Sequence, residues 1–70
     1  MDAWQQRHQL QQAVRRQPAD FIAWVMLADC ELEAGDLRAG EAAARQALQL
    51  RPGHPEALAR LGRVAWMAGA

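Results

Sequence analysis

The sequence is poor in cysteine, in charge of one sign and in long apolar runs. Cys30 is the only cysteine, so it cannot form an internal disulfide, which fits a reducing compartment. No apolar run approaches the roughly 20 residues that a membrane-spanning helix needs. The N-terminus has neither the basic start nor the apolar stretch of a secretion signal. We therefore expect a soluble, cytoplasmic protein with no membrane partner.

The charged residues balance one another. The chain has 8 basic residues, all of them arginine, and 8 acidic residues, so the formal net charge is +0 at pH 7. Because the two signs are interspersed, no field of one sign steers nucleic acid or a membrane surface to the chain. Hydrophobic residues make up 51% of the 70, an ordinary globular composition. We expect a folded domain without a nucleic-acid partner.

What the sequence does contain is an internal repeat. Pro18 and Pro52 lie 34 positions apart, and the same offset relates Ala13 to Ala47, Ala23 to Ala57, Leu27 to Leu61 and Gly35 to Gly69. A fixed period of this length is typical of solenoids built from stacked helix pairs. Such units pack on their neighbours and present long, shallow surfaces to other proteins.

The spacing of apolar residues and the positions of proline, glycine and capping residues predict four helices, over residues 2–16, 21–34, 37–50 and from Pro55 to the C-terminus. Asp20 and Asp36 are suitable N-caps, Gly35 suits the left-handed position that ends a helix, and Pro18 stops the first helix. We expect an all-α fold of antiparallel helix hairpins, with second (B) and first (A) helices of the repeat in the order B-A-B-A. Residues 1–18 then form a partial repeat, 20–52 a complete one and 54–70 a truncated one. We also expect the chain to be a piece of a longer array, because the fourth helix carries the apolar surface of an internal helix.

These residues resemble the tetratricopeptide repeat, in which Trp, Leu and a small residue on the first helix precede Ala and Pro on the second. The matching residues are Trp24, Leu27, Ala28, Ala47 and Pro52, and again Leu58, Leu61 and Gly62. The departures are Glu31 and Ala65 in place of the usual Tyr, Gly40 in place of Ala, and Ala44 in place of a large ring. The resemblance implies a protein–protein interaction module that takes a protein or peptide partner.

A narrower resemblance concerns residues 20–29, 52–57 and 59–64, which are similar to the N-terminal repeats of bacterial homologues of O-linked N-acetylglucosamine transferase. In that family the repeats precede a glycosyltransferase that uses a UDP-sugar. The resemblance implies that the chain is the substrate-positioning arm of such an enzyme. The chain itself is expected to be non-catalytic.

The family resemblance also places a partner-binding strip on the concave face, which the first helix of each repeat lines. Projected onto this sequence, the strip consists of Ile22, Val25, Met26, Asp29, Ala59, Arg60 and Arg63. Two interpretations of the arginines stay open: they pair with an acidic peptide, since a guanidinium matches carboxylate geometry, or they are simply solvated. Trp4, Trp66 and Met67 are expected to form an exposed apolar patch, which indicates homo-oligomerisation as the alternative function.

No residue pattern indicates catalysis, a cofactor or a metal. Cys30 lies between Asp29 and Glu31, whose carboxylates disfavour a thiolate, and whether it is exposed stays open. His8 and His54 are far apart in sequence and lack the closely spaced ligands of a zinc site.

A helix-turn-helix DNA reader is the rival fold, and it would need a basic recognition helix. The third helix carries only Arg38 and Arg45, with Glu41 between them. This composition disfavours the rival fold.

Overall fold

The computed structural model describes residues 3–69, with side chains from residue 4 onward. They form four α-helices: α1 (Ala3–Arg16), α2 (Phe21–Glu33), α3 (Leu37–Leu50) and α4 (Pro55–Gly69). The predicted all-α fold is confirmed. The predicted start of the first helix at residue 2, and the chain end at residue 70, lie outside the described residues.

Short side-chain and backbone contacts set the helix ends. Asp20 Oδ1 accepts a hydrogen bond from the Ala23 N–H at 3.1 Å, and Asp36 Oδ1 accepts one from the Ala39 N–H at 3.1 Å, so both predicted N-caps are confirmed. Gly35 adopts φ +85° and donates to the Leu32 carbonyl, while the Asp36 N–H donates to the Glu31 carbonyl. These two hydrogen bonds satisfy carbonyl groups at the end of α2, and they require the left-handed backbone conformation that glycine adopts readily.

The helix α2 lies at the centre of the fold and packs against the other three helices. One core cluster joins α1, α2 and α3 and consists of Val14, Ala23, Leu27, Ala28, Ala43 and Ala44. A second cluster joins α2, α3 and α4 and consists of Phe21, Val25, Ala47 and Ala57. Alanine supplies many of these positions, so the helices approach closely and leave little space for large side chains.

Gly40 of α3 lies in close contact with α2. A Cβ atom added to Gly40 would lie 2.5 Å from Leu32 Cδ2 and 3.6 Å from the Ala28 carbonyl oxygen. Leu32 is buried and therefore occupies the space that an alanine would need. The departure at Gly40 thus has a packing reason, because the Leu32 side chain already fills the space that the methyl group of an alanine would occupy.

None of the helices within residues 3–69 is both long enough and apolar enough to cross a lipid bilayer.

Candidate interaction surfaces

Two apolar side chains of α2 point into solvent. Ile22 is 58% exposed and Met26 is 42% exposed, and their spacing of four places them on one side of the helix. Val25, which the sequence assigned to the same strip, is only 7% exposed and belongs to the second core cluster. The prediction for Val25 was wrong because Ala57 of α4 and Ala47 of α3 pack in the same cluster and cover it.

The charged members of the strip bind one another. Arg60 Nε and Nη2 each lie 2.9 Å from one carboxylate oxygen of Asp29, which is a two-pronged ion pair between α4 and α2. Arg60 Nη1 donates to Glu56 Oε2 at 2.7 Å, and Arg63 Nη1 lies 3.7 Å from Asp29 Oδ1. The hydrogen bonds to Asp29 are the main cause that raises the pKa of Arg60 above its ordinary value. Both arginines are therefore held within the chain, which neither open interpretation anticipated.

A second ion pair lies on the opposite flank of α2, and sequence reasoning missed it. Glu31 is 3% exposed, forms an ion pair with Arg7 Nε and accepts a hydrogen bond from Gln11 Nε2 at 3.1 Å. Arg7 Nη2 also lies 3.7 Å from Asp36 Oδ2. A buried carboxylate needs such partners, and here they take the place of the usual tyrosine. The sequence did contain a signal for this ion pair. Glu31 is an acidic residue at a position that the repeat keeps in the core, and Arg7 and Gln11 lie four residues apart, on one face of α1.

Two shallow grooves adjoin the strip between α1 and α2. One has a volume of about 320 Å³ and is lined by Trp4, Arg7, Cys30, Glu33 and Ala34. The other has a volume of about 220 Å³ and is lined by Gln6, Met26, Asp29, Cys30 and Glu33. Because Cys30 and Glu33 line both grooves, the two form one continuous surface that begins at Met26.

A comparison with protein families identifies the architecture. A tetratricopeptide repeat model matches residues 21–64, which is more than half of the chain. The chain belongs to the tetratricopeptide repeat family. No curated protein and no solved structure matches it, and the resemblance to the sugar transferase repeats gains no support. Tetratricopeptide repeats generally mediate protein–protein interaction, so the two exposed surfaces of this tetratricopeptide repeat chain are its candidate functional sites.

The second exposed surface lies on α4 of this tetratricopeptide repeat chain. Seven exposed residues without charge recur there at spacings of one, three and four, and we name them the outer stripe: Pro55, Leu58, Ala59, Gly62, Ala65, Trp66 and Gly69. Trp66 is 73% exposed and Leu58 is 48% exposed. Met67 and Trp4 are exposed as well, but Met67 lies on α4 beside the charged side, outside the stripe, and Trp4 lies on α1.

The tryptophan at the repeat's signature position has a structural role. Trp24 is half-buried, packs against both core clusters and donates its Nε1–H to the Pro18 carbonyl at 2.7 Å. That hydrogen bond ties the α1–α2 connection to the side of α2. Trp24 is therefore unavailable as a stacking platform for a ligand.

Within residues 3–69, no group of three or more His, Cys, Asp or Glu side chains is placed so that it could hold a metal ion. Cys30 is half-buried; desolvation by burial raises the pKa of its thiol, and Glu33, Asp29 and Glu31 raise it further. His54 accepts a hydrogen bond at Nδ1 from the Glu56 N–H at 3.2 Å, so it stabilises the start of α4.

Proposed function

We propose that the chain is a protein-interaction module whose concave strip binds apolar side chains of a peptide or protein segment. The observation that carries this proposal is the exposure of Ile22 and Met26 beside the groove between α1 and α2. Isolated exposed apolar residues are ordinary, but a pair on one helix face at the mouth of a groove is typical of a binding surface.

The chemistry of the strip favours an apolar partner over an acidic one. An acidic peptide that binds Arg60 must displace Asp29 from a two-pronged ion pair and leave that carboxylate without its partner. An apolar side chain that packs on Ile22 or Met26 meets no such cost. The cluster of Asp29, Glu56 and Arg60 therefore borders the apolar contact at Ile22 and Met26, and it disfavours the binding of strongly acidic peptides.

The proposal is tested by selecting peptides from a displayed library against the immobilised chain. We expect the enriched peptides to share apolar residues and to lose at least tenfold in affinity for a variant that carries Ile22→Gln and Met26→Gln. The matched control is Leu50→Gln, which replaces an exposed apolar residue of α3 away from the strip. Peptides dominated by Asp and Glu, or equal binding to all three proteins, would contradict the proposal.

Two finer features belong to the same proposal and rest on the sequence alone. The first is that the module positions protein substrates for a sugar-nucleotide transferase, which the narrower sequence resemblance implies. The second is a cytoplasmic location, which the single cysteine favours.

The second candidate function is self-association, and the exposure of Leu58 and Trp66 on α4 favours it. Large apolar side chains that lie together on one helix face attract a partner surface.

A further inference from the structure

The two grooves between α1 and α2 meet at Cys30 and Glu33, and together we name them the α1–α2 groove. Glu33 is exposed, and no residue within 3–69 forms an ion pair or a hydrogen bond with its carboxylate. Burial is the main cause that raises the pKa of the Cys30 thiol, and Glu33 is the strongest of the carboxylates that raise it further. The groove therefore holds one negative charge that has no partner in this part of the chain.

The other charged groups along the groove already have partners. Arg7 lies between two carboxylates, since it forms an ion pair with Glu31 and its Nη2 lies 3.7 Å from Asp36 Oδ2. Asp29 accepts two hydrogen bonds from Arg60, at 2.9 Å each. A cation that enters the groove therefore does not have to break an ion pair, and the carboxylate that it meets is not already neutralised. An anion in the same place has no free cation to bind and meets a charge of its own sign.

An aromatic ring lies beside the free carboxylate. Trp4 lines the same groove as Glu33, and it is 72% exposed. The face of a tryptophan ring attracts cations, and a guanidinium can stack on it while it pairs with a carboxylate. Lysine and arginine also have an apolar stem that packs on apolar surface while the charged end stays at the carboxylate. A ring and a carboxylate in one groove are thus the groups that a basic side chain needs.

The internal repeat indicates that these two positions stay open when other helices are adjacent. By the 34-residue offset, Trp4 corresponds to Arg38 of α3, which is exposed although α2 precedes it and α4 follows it. Glu33 corresponds to Met67 of α4, which is 42% exposed although α2 and α3 precede it. The exposure of Trp4 and Glu33 is therefore a property of their positions in the repeat and not of where the sequence begins.

The groove continues the line of Ile22 and Met26 along α2. Met26 and Glu33 lie seven positions apart, which is two helical turns, and both line the same part of the groove. Seven residues of helix span roughly 10 Å. An extended peptide covers that distance in about three residues, since each adds about 3.3 Å. A basic residue three positions from an apolar residue therefore reaches Glu33 while the apolar residue packs on Met26.

We propose that the α1–α2 groove binds a lysine or arginine side chain of the partner peptide, with its charge on the Glu33 carboxylate and its stem or guanidinium against the Trp4 ring. The preferred partner is an extended segment in which an apolar and a basic residue lie three positions apart. This inference rests on the proposed function, because the apolar residue is the one that the concave strip binds. It adds a charge requirement that Ile22 and Met26 do not impose.

The test begins with selection against the whole chain from a displayed peptide library in which one leucine is fixed and the other positions are random. We expect Arg and Lys to be enriched three positions from that leucine. The selected peptide is then synthesised with its basic residue and with norleucine, an uncharged residue of similar stem, and both are titrated by calorimetry. We expect the basic peptide to bind about fivefold more tightly, as a partly exposed ion pair and a cation–π contact allow.

Substitutions of Glu33 assign this preference to one carboxylate. Glu33→Gln is expected to bind both peptides equally, and Glu33→Arg to prefer a peptide with glutamate at that position. Both variants change an exposed side chain, so neither disturbs the core. The matched control is Glu41→Gln, which removes the same charge from α3, away from the groove, and is expected to keep the fivefold preference.

Substitution of Trp4 tests the ring. Trp4→Leu keeps an apolar side chain and is expected to reduce the preference for the basic peptide to about twofold, the part that the ion pair alone supplies. Trp66→Leu replaces a tryptophan of similar exposure on α4 and is the matched control, with no change expected. An unchanged preference in Trp4→Leu would overturn the role of the ring.

The outcomes separate this inference from the proposed function. A preference that Glu33→Gln abolishes and Glu41→Gln retains supports the inference. Selected peptides that depend on Ile22 and Met26 but lack a basic residue at the stated spacing would overturn it and leave the proposed function standing. A basic preference that survives Glu33→Gln would do the same. A selection that enriches no peptide would overturn both.

Discussion

Arg60 and Asp29 form a two-pronged ion pair, with Arg60 Nε and Nη2 each 2.9 Å from one carboxylate oxygen, and they lie 31 positions apart in the chain. The pair joins α4 to α2, two helices that share few other contacts. Two parallel N–H to oxygen contacts fix both distance and orientation, which a single contact does not. We infer that this pair sets the relative orientation of the two helices that line the strip.

The first prediction is a measurable coupling between these two residues. Arg60→Met and Asp29→Asn are each expected to lower the free energy of unfolding, and their double-mutant cycle to give a coupling of about 1 kcal/mol, at the upper end for a partly exposed pair. The coupling is expected to fall in 1 M salt, because added ions screen partly exposed charges. Urea unfolding of the four proteins measures both quantities. Additive single changes would show that the ion pair does not contribute.

The second prediction concerns Gly40. Gly40→Ala improves helix propensity by about 0.5–1 kcal/mol, yet we expect a net loss of stability, because the new Cβ collides with the buried Leu32. Overpacking of this kind typically costs about 1–3 kcal/mol. Thermal unfolding measures the change. The matched control is Gly62→Ala, measured at low concentration, which has open space at the new Cβ and is expected to gain stability. A more stable Gly40→Ala variant would contradict the packing explanation.

The fold was predictable from the sequence because its determinants are local or periodic. Asp20, Asp36 and Gly35 act within three to five residues of their own positions, and the 34-residue offset specifies which faces recur. The observed helix ends agree with these signals to within a residue or two.

The surface was less predictable, since it depends on contacts between helices far apart in the chain. Val25 has the spacing of an exposed strip residue, and only the position of α4 makes it a core residue. From the sequence alone, Arg60 and Arg63 have no evident partner, because Asp29 is distant in the chain. In the folded chain Asp29 lies beside both arginines. For the outer stripe, the sequence predicted the exposure of Trp66, but not the extent of the uncharged face around it, because the equivalent residues of α2 are covered.

The third prediction is that Cys30 reacts slowly in the folded protein. Burial raises the pKa of its thiol and three carboxylates add to the effect, so little thiolate is present near neutral pH. Alkylation by iodoacetamide is expected to be slower in the native chain than in urea, and to accelerate as the pH rises above the ordinary range for a thiol. Equal rates in both states would be inconsistent with the burial seen here.

The raised thiol pKa also sets the sign of a pH effect on stability. The folded state holds the proton more tightly than the unfolded state, so the contribution of Cys30 is fully present below the unfolded pKa. It is lost as the pH rises toward the folded pKa. A Cys30→Ala variant is expected to lack this alkaline loss, which urea unfolding across the alkaline range measures.

The last prediction concerns the ion pair between the half-buried Arg7 and the buried Glu31. Arg7→Met leaves a carboxylate that is 3% exposed without its cation, and we expect it to lower the free energy of unfolding by about 3 kcal/mol. Adding Glu31→Leu to that variant is expected to restore most of the loss, since an apolar pair of similar volume avoids the desolvation of both charges. Urea unfolding of both single variants and the double variant measures the cycle. If the double variant is as unstable as Arg7→Met, then the loss comes from the packing of the arginine stem against α2 and not from the stranded charge.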